Sequence, residues 1–216
     1  EFAFRAVGEG SSLRRDIDKY DKHYLHLILW DEQDLEIVGA YRLADTEDVM
    51  KNHGIKGLYT HTLFALSNEM NPYLAQGLEL GRSFVQPKYW GKRSLDYLWY
   101  GIGAFIRKYP KYRYLFGPVS MSNNMPQAAK ELMVYFYQLY FGSDVELAPS
   151  RSPFQLQQSL IEQLKTQFCG NDYKADFTQL KHLLANMGTS VPTLYKQYSE
   201  LTEPGGVKFL DFGIDS

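Results

Sequence analysis

Alternation of apolar and polar positions predicts a chain built from short strands and amphipathic helices. Residues 24–30 and 36–43 are apolar runs separated by the acidic turn 31–34, which is typical of a β-hairpin. Further strands are predicted at 1–7, 78–85, 112–121 and 207–212. Helices are predicted at 45–54, 95–109, 126–140, 177–187 and 192–201, while 62–67 fits either a short strand or a short helix. This order predicts a mixed α/β fold with one central sheet and flanking helices.

The length of the chain, 216 residues, fits one large domain or two small ones. We expect a single domain over 1–216, because no linker composition divides it, with residues 143–175 as a peripheral polar insertion. No apolar run of 18 residues is present, so no segment is predicted to span a membrane. The sequence starts at Glu1 rather than at a methionine, and we expect it to be a fragment that lacks an N-terminal part.

Charge and cysteine content argue against several classes of function. A net charge of −2 provides no basic field for nucleic acid. The single cysteine, Cys169, fits a reducing compartment, so we expect a cytoplasmic protein. Cys169 also lacks basic neighbours that would activate it, so a covalent intermediate on this thiol is not expected. The histidines show no metal-ligand spacing, and we expect no bound metal.

The densest chemical signal lies in residues 78–94. An apolar strand that contains Glu79 and Arg82 leads into a polar turn at the start of a long helix. N–H donors at a helix N-terminus are what a phosphate-bearing ligand requires. Cations at this end of a helix are unfavourable by roughly 0.3–1 kcal/mol each, so an arriving anion would offset them. Three basic residues lie there: Lys88, Lys92 and Arg93. The alternative is a solvated basic surface turn.

Several segments together carry a resemblance to a known family: FRAVGEG at 4–10, DIDKYD at 16–21, HL at 26–27, VGAYRL at 38–43, ELGRS at 79–83 and PTLY at 192–195. With these the chain resembles the GNAT-fold N-acyltransferases related to ornithine-lipid synthesis, which are often described as haemolysin-like. It looks most like versions fused behind a glycerolipid acyltransferase domain. A more distant resemblance, through Asp18, Asp21, Arg42 and residues 79–82, is to the acyl-homoserine-lactone synthases.

The resemblance implies a GNAT-like fold whose central sheet is splayed between the strand of Glu79 and the strand of Tyr112. It implies transfer of a fatty or 3-hydroxyacyl group from a thioester to the amine of an amino acid, as in lyso-ornithine-lipid-type synthesis. The acyl-homoserine-lactone synthases share this chemistry but use another amine. Donor contacts are then expected from Val85, Lys88, Gly91, Lys92, Arg93 and Ser94.

The polar turn at residues 86–94, called the donor turn here, departs from the pattern of acetyl-CoA-dependent GNAT enzymes. Their two pyrophosphate-binding glycines correspond here to Arg93 and Leu95. This favours acyl-phosphopantetheine on an acyl carrier protein over acyl-CoA as co-substrate, and no tightly bound cofactor is expected. The basic turn would also suit an acidic carrier protein. The same departure fits a different class of function, a degenerate module that binds carrier protein or lipid and regulates an attached enzyme.

Roles for individual residues follow from the resemblance and from amide-forming chemistry. Glu79, on an apolar strand, is the expected proton acceptor, with Arg82 as a second catalytic residue. The alternative is a structural ion pair of Glu79 with Arg82 or Arg42. Whether Arg82 faces the site or the far side of the sheet is left open by the sequence.

The acceptor is expected to be a small amine or amino acid, bound next to the proton acceptor. Asp18 and Asp21 would hold its ammonium group, and Arg42 would hold its carboxylate bidentately, with Ser83 as a further contact. The alternative for these charges is a loop salt bridge. Peripheral membrane contact through the missing N-terminal part is also expected, and nucleic acid is not.

Overall fold

Residues 17–214 are described by a computed structural model of the chain. Their contacts form two compact units, one of residues 17–62 and 69–118, the other of 63–68 and 119–214. The predicted strand at 1–7 lies outside the described residues, as does the family-like segment 4–10. The expectation of a single domain over 1–216 stays a prediction.

The first unit is built on a four-stranded sheet in the order β1-β2-β3-β4. The strands are β1 (Leu25–Asp31), β2 (Glu36–Asp45), β3 (Gly77–Val85) and β4 (Tyr114–Phe116). β1, β2 and β3 are antiparallel neighbours, and β4 runs parallel to β3. The predicted hairpin and the mixed α/β class are therefore confirmed.

The helices in this part of the chain are α1 (Thr46–His53), α2 (Thr60–Leu63), α3 (Asn71–Leu74) and α4 (Ser94–Lys108). Short 3-10 helices lie at Ile55–Gly57, Asn68–Met70 and Pro87–Tyr89. α1 confirms its prediction, because the Asp45 side chain accepts a hydrogen bond from Asp48 N at the start and Gly54, at φ 65°, ends the helix.

α4 covers one face of the sheet and leaves the polar residues of β2 and β3 on the other. Its Leu98 and Ile102 belong to a core cluster with Tyr41, Leu43, Leu78 and Leu80. Successive residues of a strand point to opposite faces, so Arg42 and Glu79 lie on the face away from α4. The start of α2 packs there, since Thr60 bonds to Glu79.

The sheet is splayed because β4 is short, and the predicted strand at 112–121 is wrong in its length. Only Gly77, Leu78 and Glu79 of β3 pair with β4. Gly117 approaches β3 so closely that a Cβ there would lie 2.0 Å from the Leu80 carbonyl oxygen, and Pro118 has no N–H to continue the ladder. From Gly81 onwards, no described residue pairs with β3 on that side.

The second unit is largely helical, with α5 (Gln127–Phe141), α6 (Gln158–Lys165), α7 (Tyr173–Asn186) and α8 (Thr193–Glu200). Pro126 is the N-cap of α5 rather than its first helical residue. Segment 143–175, expected to be peripheral, contains α6 and buries Leu164 and Phe168 in the core of this unit.

The predicted strand at 207–212 is wrong. Phe209 forms only an isolated bridge with Gly142, and residues 207–212 contain no strand. The reason is the packing of Phe209, whose ring lies 4.8 Å from the ring of Tyr137 and 5.4 Å from that of Tyr195. The segment is therefore held by its aromatic side chains and by separate backbone hydrogen bonds, from Phe209 N to Phe141 O and from Phe154 N to Phe212 O, without a continuous ladder.

Candidate active site

A bulge in β3 decides the orientation of Arg82. Ala40 pairs with Phe84 whereas Arg42 pairs with Gly81, so Arg82 and Ser83 together lie opposite Tyr41. Arg82 has a φ of 47°, in the left-handed region that non-glycine residues rarely occupy. In a regular strand Arg82 would point towards α4, like Leu80. The bulge turns it to the face of Glu79 and Arg42, which settles the orientation that the sequence left open.

Arg42, Arg82, Asp18 and Asp21 form an ion cluster on this face. Arg42 Nη1 lies 2.8 Å from Asp18 Oδ2 and 2.8 Å from Asp21 Oδ1, and Arg82 Nη2 lies 3.1 Å from Asp18 Oδ2. Burial alone would raise the pKa of Asp18, but the hydrogen bond and charge of Arg42 outweigh it and hold that pKa below its ordinary value. The loop before β1 is thereby tied to β2 and β3.

The cluster has a buried layer and a more accessible layer. The side chain of Arg42 is 2% exposed, whereas those of Arg82, Asp18 and Asp21 are 14%, 20% and 26% exposed. A ligand can therefore approach the aspartates and Arg82 more easily than Arg42. Asp18 is also bound to the backbone, since its Oδ1 accepts from the N–H groups of Tyr20 and Asp21.

Three tyrosine rings surround the buried guanidinium of Arg42. Its Cζ lies 4.9 Å from the ring centroid of Tyr24, 5.6 Å from that of Tyr59 and 5.8 Å from that of Tyr20. Cation–π contacts of this kind stabilise a desolvated cation. Arg42 Nε and Nη2 have no hydrogen-bond partner among the described residues, so the rings take the place of acceptors for this edge.

Glu79 is 1% exposed and accepts hydrogen bonds from four donors. Its Oε1 accepts from Thr60 N and Thr60 Oγ1, both at 2.5 Å. Its Oε2 accepts from Tyr24 Oη and, at 3.3 Å, from Tyr59 N. Both carboxylate oxygens are thus saturated. Arg42 pairs with the aspartates and not with Glu79, unlike the predicted alternative, and the role of Glu79 as proton acceptor stays a prediction.

The donor turn follows β3 directly. Gly91 has a φ of 74°, and α4 begins at Ser94 without a side-chain cap, so the first N–H groups of this helix keep their capacity for an anion. Trp90, which is 68% exposed, donates from Nε1 to the carbonyl oxygen of Val85 at 2.8 Å. Ser94 is buried, with its Oγ 3.5 Å from the carbonyl oxygen of Tyr89.

Two of the three predicted cations of the turn are already paired with acids. Lys88 binds Asp34 at 3.1 Å and also Glu36. Arg93 binds Asp96 at 3.2 Å. Lys92 lies 5.0 Å from the ring of Tyr89, and no carboxylate of residues 17–214 forms an ion pair with it. The predicted concentration of positive charge is therefore smaller than the sequence indicates.

The structure brings together most of the predicted substrate residues and separates them from the donor residues along β3. Asp18, Asp21, Arg42, Arg82 and Glu79 share one face. Ser83 lies in the bulge, and Val85 packs against the α4 core. Sequence reasoning missed Tyr20, Tyr24, Tyr59 and Thr60. A buried carboxylate must have donors, but nothing in the sequence indicates that they come from Tyr24, Tyr59 and Thr60.

Within 17–214 no three histidine, cysteine, aspartate or glutamate side chains are grouped so as to hold a metal ion. No helix of that part of the chain combines the length and the apolar character needed to cross a membrane.

Part of the chain matches a known protein family. Residues 1–100 match the family described as acetyltransferase (GNAT) domain, which confirms the resemblance to GNAT acyltransferases for this part of the chain. The chain is 36% identical over 214 residues to a glycine N(alpha)-acyltransferase of Bacteroides thetaiotaomicron, covering 94% of this chain and 63% of that protein. A glycine N(alpha)-acyltransferase of Phocaeicola vulgatus is 32% identical, with 94% and 65% covered.

A third relative is named for another amino acid. The L-ornithine N(alpha)-acyltransferase of Rhizobium meliloti is 36% identical over 115 residues, which cover 50% of this chain and 38% of that protein. No solved structure matches the chain. These relatives are named N-acyltransferases, which agrees with the predicted class of enzyme, and their names do not test the predicted branch of the family or the predicted fusion. The chain spans less than two thirds of the length of the glycine relatives.

Proposed function

We propose that this protein transfers a fatty acyl group from a thioester to the α-amino group of glycine or a similar small amino acid. The observation that carries the proposal is the bulge at Arg82, which gathers two arginines and two aspartates beside Glu79 on one face of the sheet. A zwitterionic amino acid offers an ammonium for the aspartates and a carboxylate for an arginine. Glycine is preferred over ornithine because the relatives named for glycine align over 94% of the chain.

The reaction needs a neutral amine, a stabilised oxyanion and a thiol leaving group. The amine nitrogen attacks the thioester carbonyl carbon, a C–N bond forms and the C–S bond breaks. The sulfur leaves as a thiol with the proton that the amine gives up. N–H groups on the unpaired edge of β3 are the proposed oxyanion donors. Glu79 is the proposed acceptor of the proton that the bound ammonium loses before the attack, which then passes to solvent, and one of its four hydrogen bonds must open before it takes that proton.

We assign the roles of the four residues in the ion cluster from how exposed each side chain is. Asp18 and Asp21 are the proposed partners of the ammonium, and Arg82 is the more accessible guanidinium for the carboxylate. Arg42 was expected to bind the carboxylate directly. Its burial favours a supporting role, in which it orients both aspartates, with Ser83 as a neighbouring contact in the bulge.

The proposed donor is an acyl carrier protein. Arg93 and Leu95 occupy the positions of the pyrophosphate-binding glycines, and the uncapped N-terminus of α4 suits the single phosphate of a phosphopantetheine arm. Gly91, Lys92, Arg93 and Ser94 would surround that phosphate. Lyso-lipid synthesis, a cytoplasmic location and peripheral membrane contact belong to the same proposal.

The test is incubation of the full-length protein with acyl carrier protein thioesters and single amino acids, followed by mass spectrometry of N-acyl products. We expect N-acylglycine, less N-acylornithine, and lower turnover with acyl-CoA. If N-acylornithine is the main product, ornithine and not glycine is the acceptor. If the rate is higher with acyl-CoA, coenzyme A and not a carrier protein is the donor. Binding of the carrier protein without any N-acyl product would contradict the enzyme and support a regulatory binding module.

A further inference from the structure

The β1–β2 hairpin and the donor turn are joined by a dense set of polar contacts. Tyr89 Oη lies 2.8 Å from Asp31 Oδ2 and 2.8 Å from Glu36 Oε1. Lys88 Nζ lies 3.1 Å from Asp34 Oδ2 and also bonds to Glu36. Three carboxylates of the hairpin therefore converge on two consecutive residues of the turn. These five residues are called the hairpin anchor here.

The first residue of the turn is fixed to the same hairpin. The backbone N–H of Gln86 donates to the carbonyl oxygen of Val38 at 2.8 Å, and its side-chain amide donates to that of Ile37. The turn is thus attached to β2 by its backbone and to both ends of the hairpin loop by side chains.

The charges of the anchor depend on each other. A hydroxyl carries one proton, so Tyr89 can donate to only one of its two carboxylate neighbours at a time. The Lys88 ammonium offsets one of the three negative charges. Accordingly, hydrogen bonds from Lys88 and Tyr89 lower the pKa of Glu36. Removing the lysine would leave Asp31 and Glu36 around one hydroxyl and Asp34 without its ion pair, so Lys88 already has partners within the protein when no acyl donor is bound.

Tyr89 connects this anchor to the N-terminus of α4. Its side chain is buried, with an exposed fraction of 7%. Its carbonyl oxygen accepts from Lys92 N at 3.4 Å and lies 3.5 Å from Ser94 Oγ, in the first residue of α4. Its ring lies 5.0 Å from the Lys92 ammonium. Displacement of Tyr89 would therefore move the residues that would face the donor phosphate.

We infer that the β1–β2 hairpin positions the acyl-donor turn through Lys88 and Tyr89, so that both residues set donor affinity without touching the donor. The inference rests on the proposed function and changes the role of Lys88, which sequence reasoning assigned to direct donor contact. Because binding costs less when the site is already ordered, loosening the anchor should weaken donor binding and leave acceptor binding unchanged.

The first test compares Tyr89→Phe with the control Tyr97→Phe. Tyr97 lies on α4, is 52% exposed and is outside the anchor. Loss of one charge-assisted hydrogen bond should raise the KM for acyl carrier protein about fivefold or more in Tyr89→Phe. The KM for glycine and kcat should stay within about twofold, as all three constants should in Tyr97→Phe. An unchanged donor KM in Tyr89→Phe would overturn the inference.

The second test separates positioning from direct contact by exchanging charges between Lys88 and Glu36. Lys88→Glu and Glu36→Lys should each raise the donor KM, and the double variant should recover most of the loss, because the ion pair is restored in reverse. If Lys88 touches the donor phosphate, the double variant will bind as poorly as Lys88→Glu.

The third test holds even if no N-acyl product forms. Amide hydrogen exchange of the ligand-free, full-length protein should be faster in residues 86–93 of Tyr89→Phe than in wild type or Tyr97→Phe. Titration with carrier protein that bears a non-transferable, amide-linked acyl chain then measures donor affinity directly. Equal exchange in all three proteins would refute the anchor, whereas absence of turnover in wild type alone would refute only the proposed function.

Discussion

The Oγ1 of Thr60 lies 2.5 Å from Glu79 Oε1, and both residues are buried. The backbone N–H of Thr60 donates to the same oxygen. The Glu79 carboxylate therefore joins β3 to the start of α2, and its Oε1 accepts two hydrogen bonds from Thr60. Such an arrangement stabilises the fold as well as serving any chemistry, so tests of Glu79 must measure both.

Glu79→Gln should lower both stability and turnover. The new NH2 group would face existing donors, which leaves them unsatisfied and should cost about 1–3 kcal/mol of the free energy of unfolding. Loss of the proton acceptor should lower kcat by roughly 10²–10⁴-fold. Urea unfolding and steady-state kinetics on the same samples check both, with exposed Glu47→Gln as control. If kcat of the folded variant is unchanged, Glu79 takes no part in proton transfer.

Arg82→Gly should separate folding from substrate binding. Glycine adopts the φ of 47° without the roughly 1–2 kcal/mol cost of a left-handed L-residue, which offsets the lost pair with Asp18. We expect the thermal midpoint to change little and the KM for glycine to rise about tenfold or more, as for other lost charged hydrogen bonds. Leu35 also has a positive φ, 52°, so unfolding of Leu35→Gly measures how much glycine stabilises a left-handed backbone position in this protein. An unchanged KM for glycine would remove Arg82 from the acceptor site.

Asp18 should contribute stability that depends on pH. Its pKa in the folded protein lies below the ordinary value of 3.8, so its ion pairs stabilise the fold fully above that value. The contribution is lost as pH falls through the lower, folded-state pKa. The gap in unfolding free energy between wild type and Asp18→Asn should therefore be constant near neutral pH and shrink below about pH 4. Chemical unfolding at several pH values measures it, and a gap that widens in acid would contradict the pairing.

The sequence predicted the sheet well where local signals were strong. Asp45 and Gly54 bound α1 as expected, and the acidic turn joins β1 to β2. It could not predict that β4 stops at Phe116, because the reason is the approach of Gly117 to Leu80 on another strand. The orientation of Arg82 was equally inaccessible, since one extra residue in β3 reverses the alternation of side chains. Partners of Lys88 lie more than 50 positions away along the chain, and no local pattern indicates them.

Lys92 should carry most of the electrostatic attraction between the donor turn and an acidic carrier protein. Lys88 and Arg93 are neutralised by Asp34, Glu36 and Asp96, whereas Lys92 has no acidic partner among the described residues. Lys92→Glu should raise the KM for acyl carrier protein about threefold to tenfold at low salt, while the KM for glycine stays unchanged. Because exposed charges are screened over about 10 Å at 0.1 M salt, the effect should fade as salt is added.

Exposed Lys174→Glu, on α7 of the second unit, is the matched charge reversal and should change neither constant. If Lys92→Glu and Lys174→Glu behave alike, the turn does not attract the carrier protein by charge, and donor recognition must rest on the N-terminus of α4 and the edge of β3.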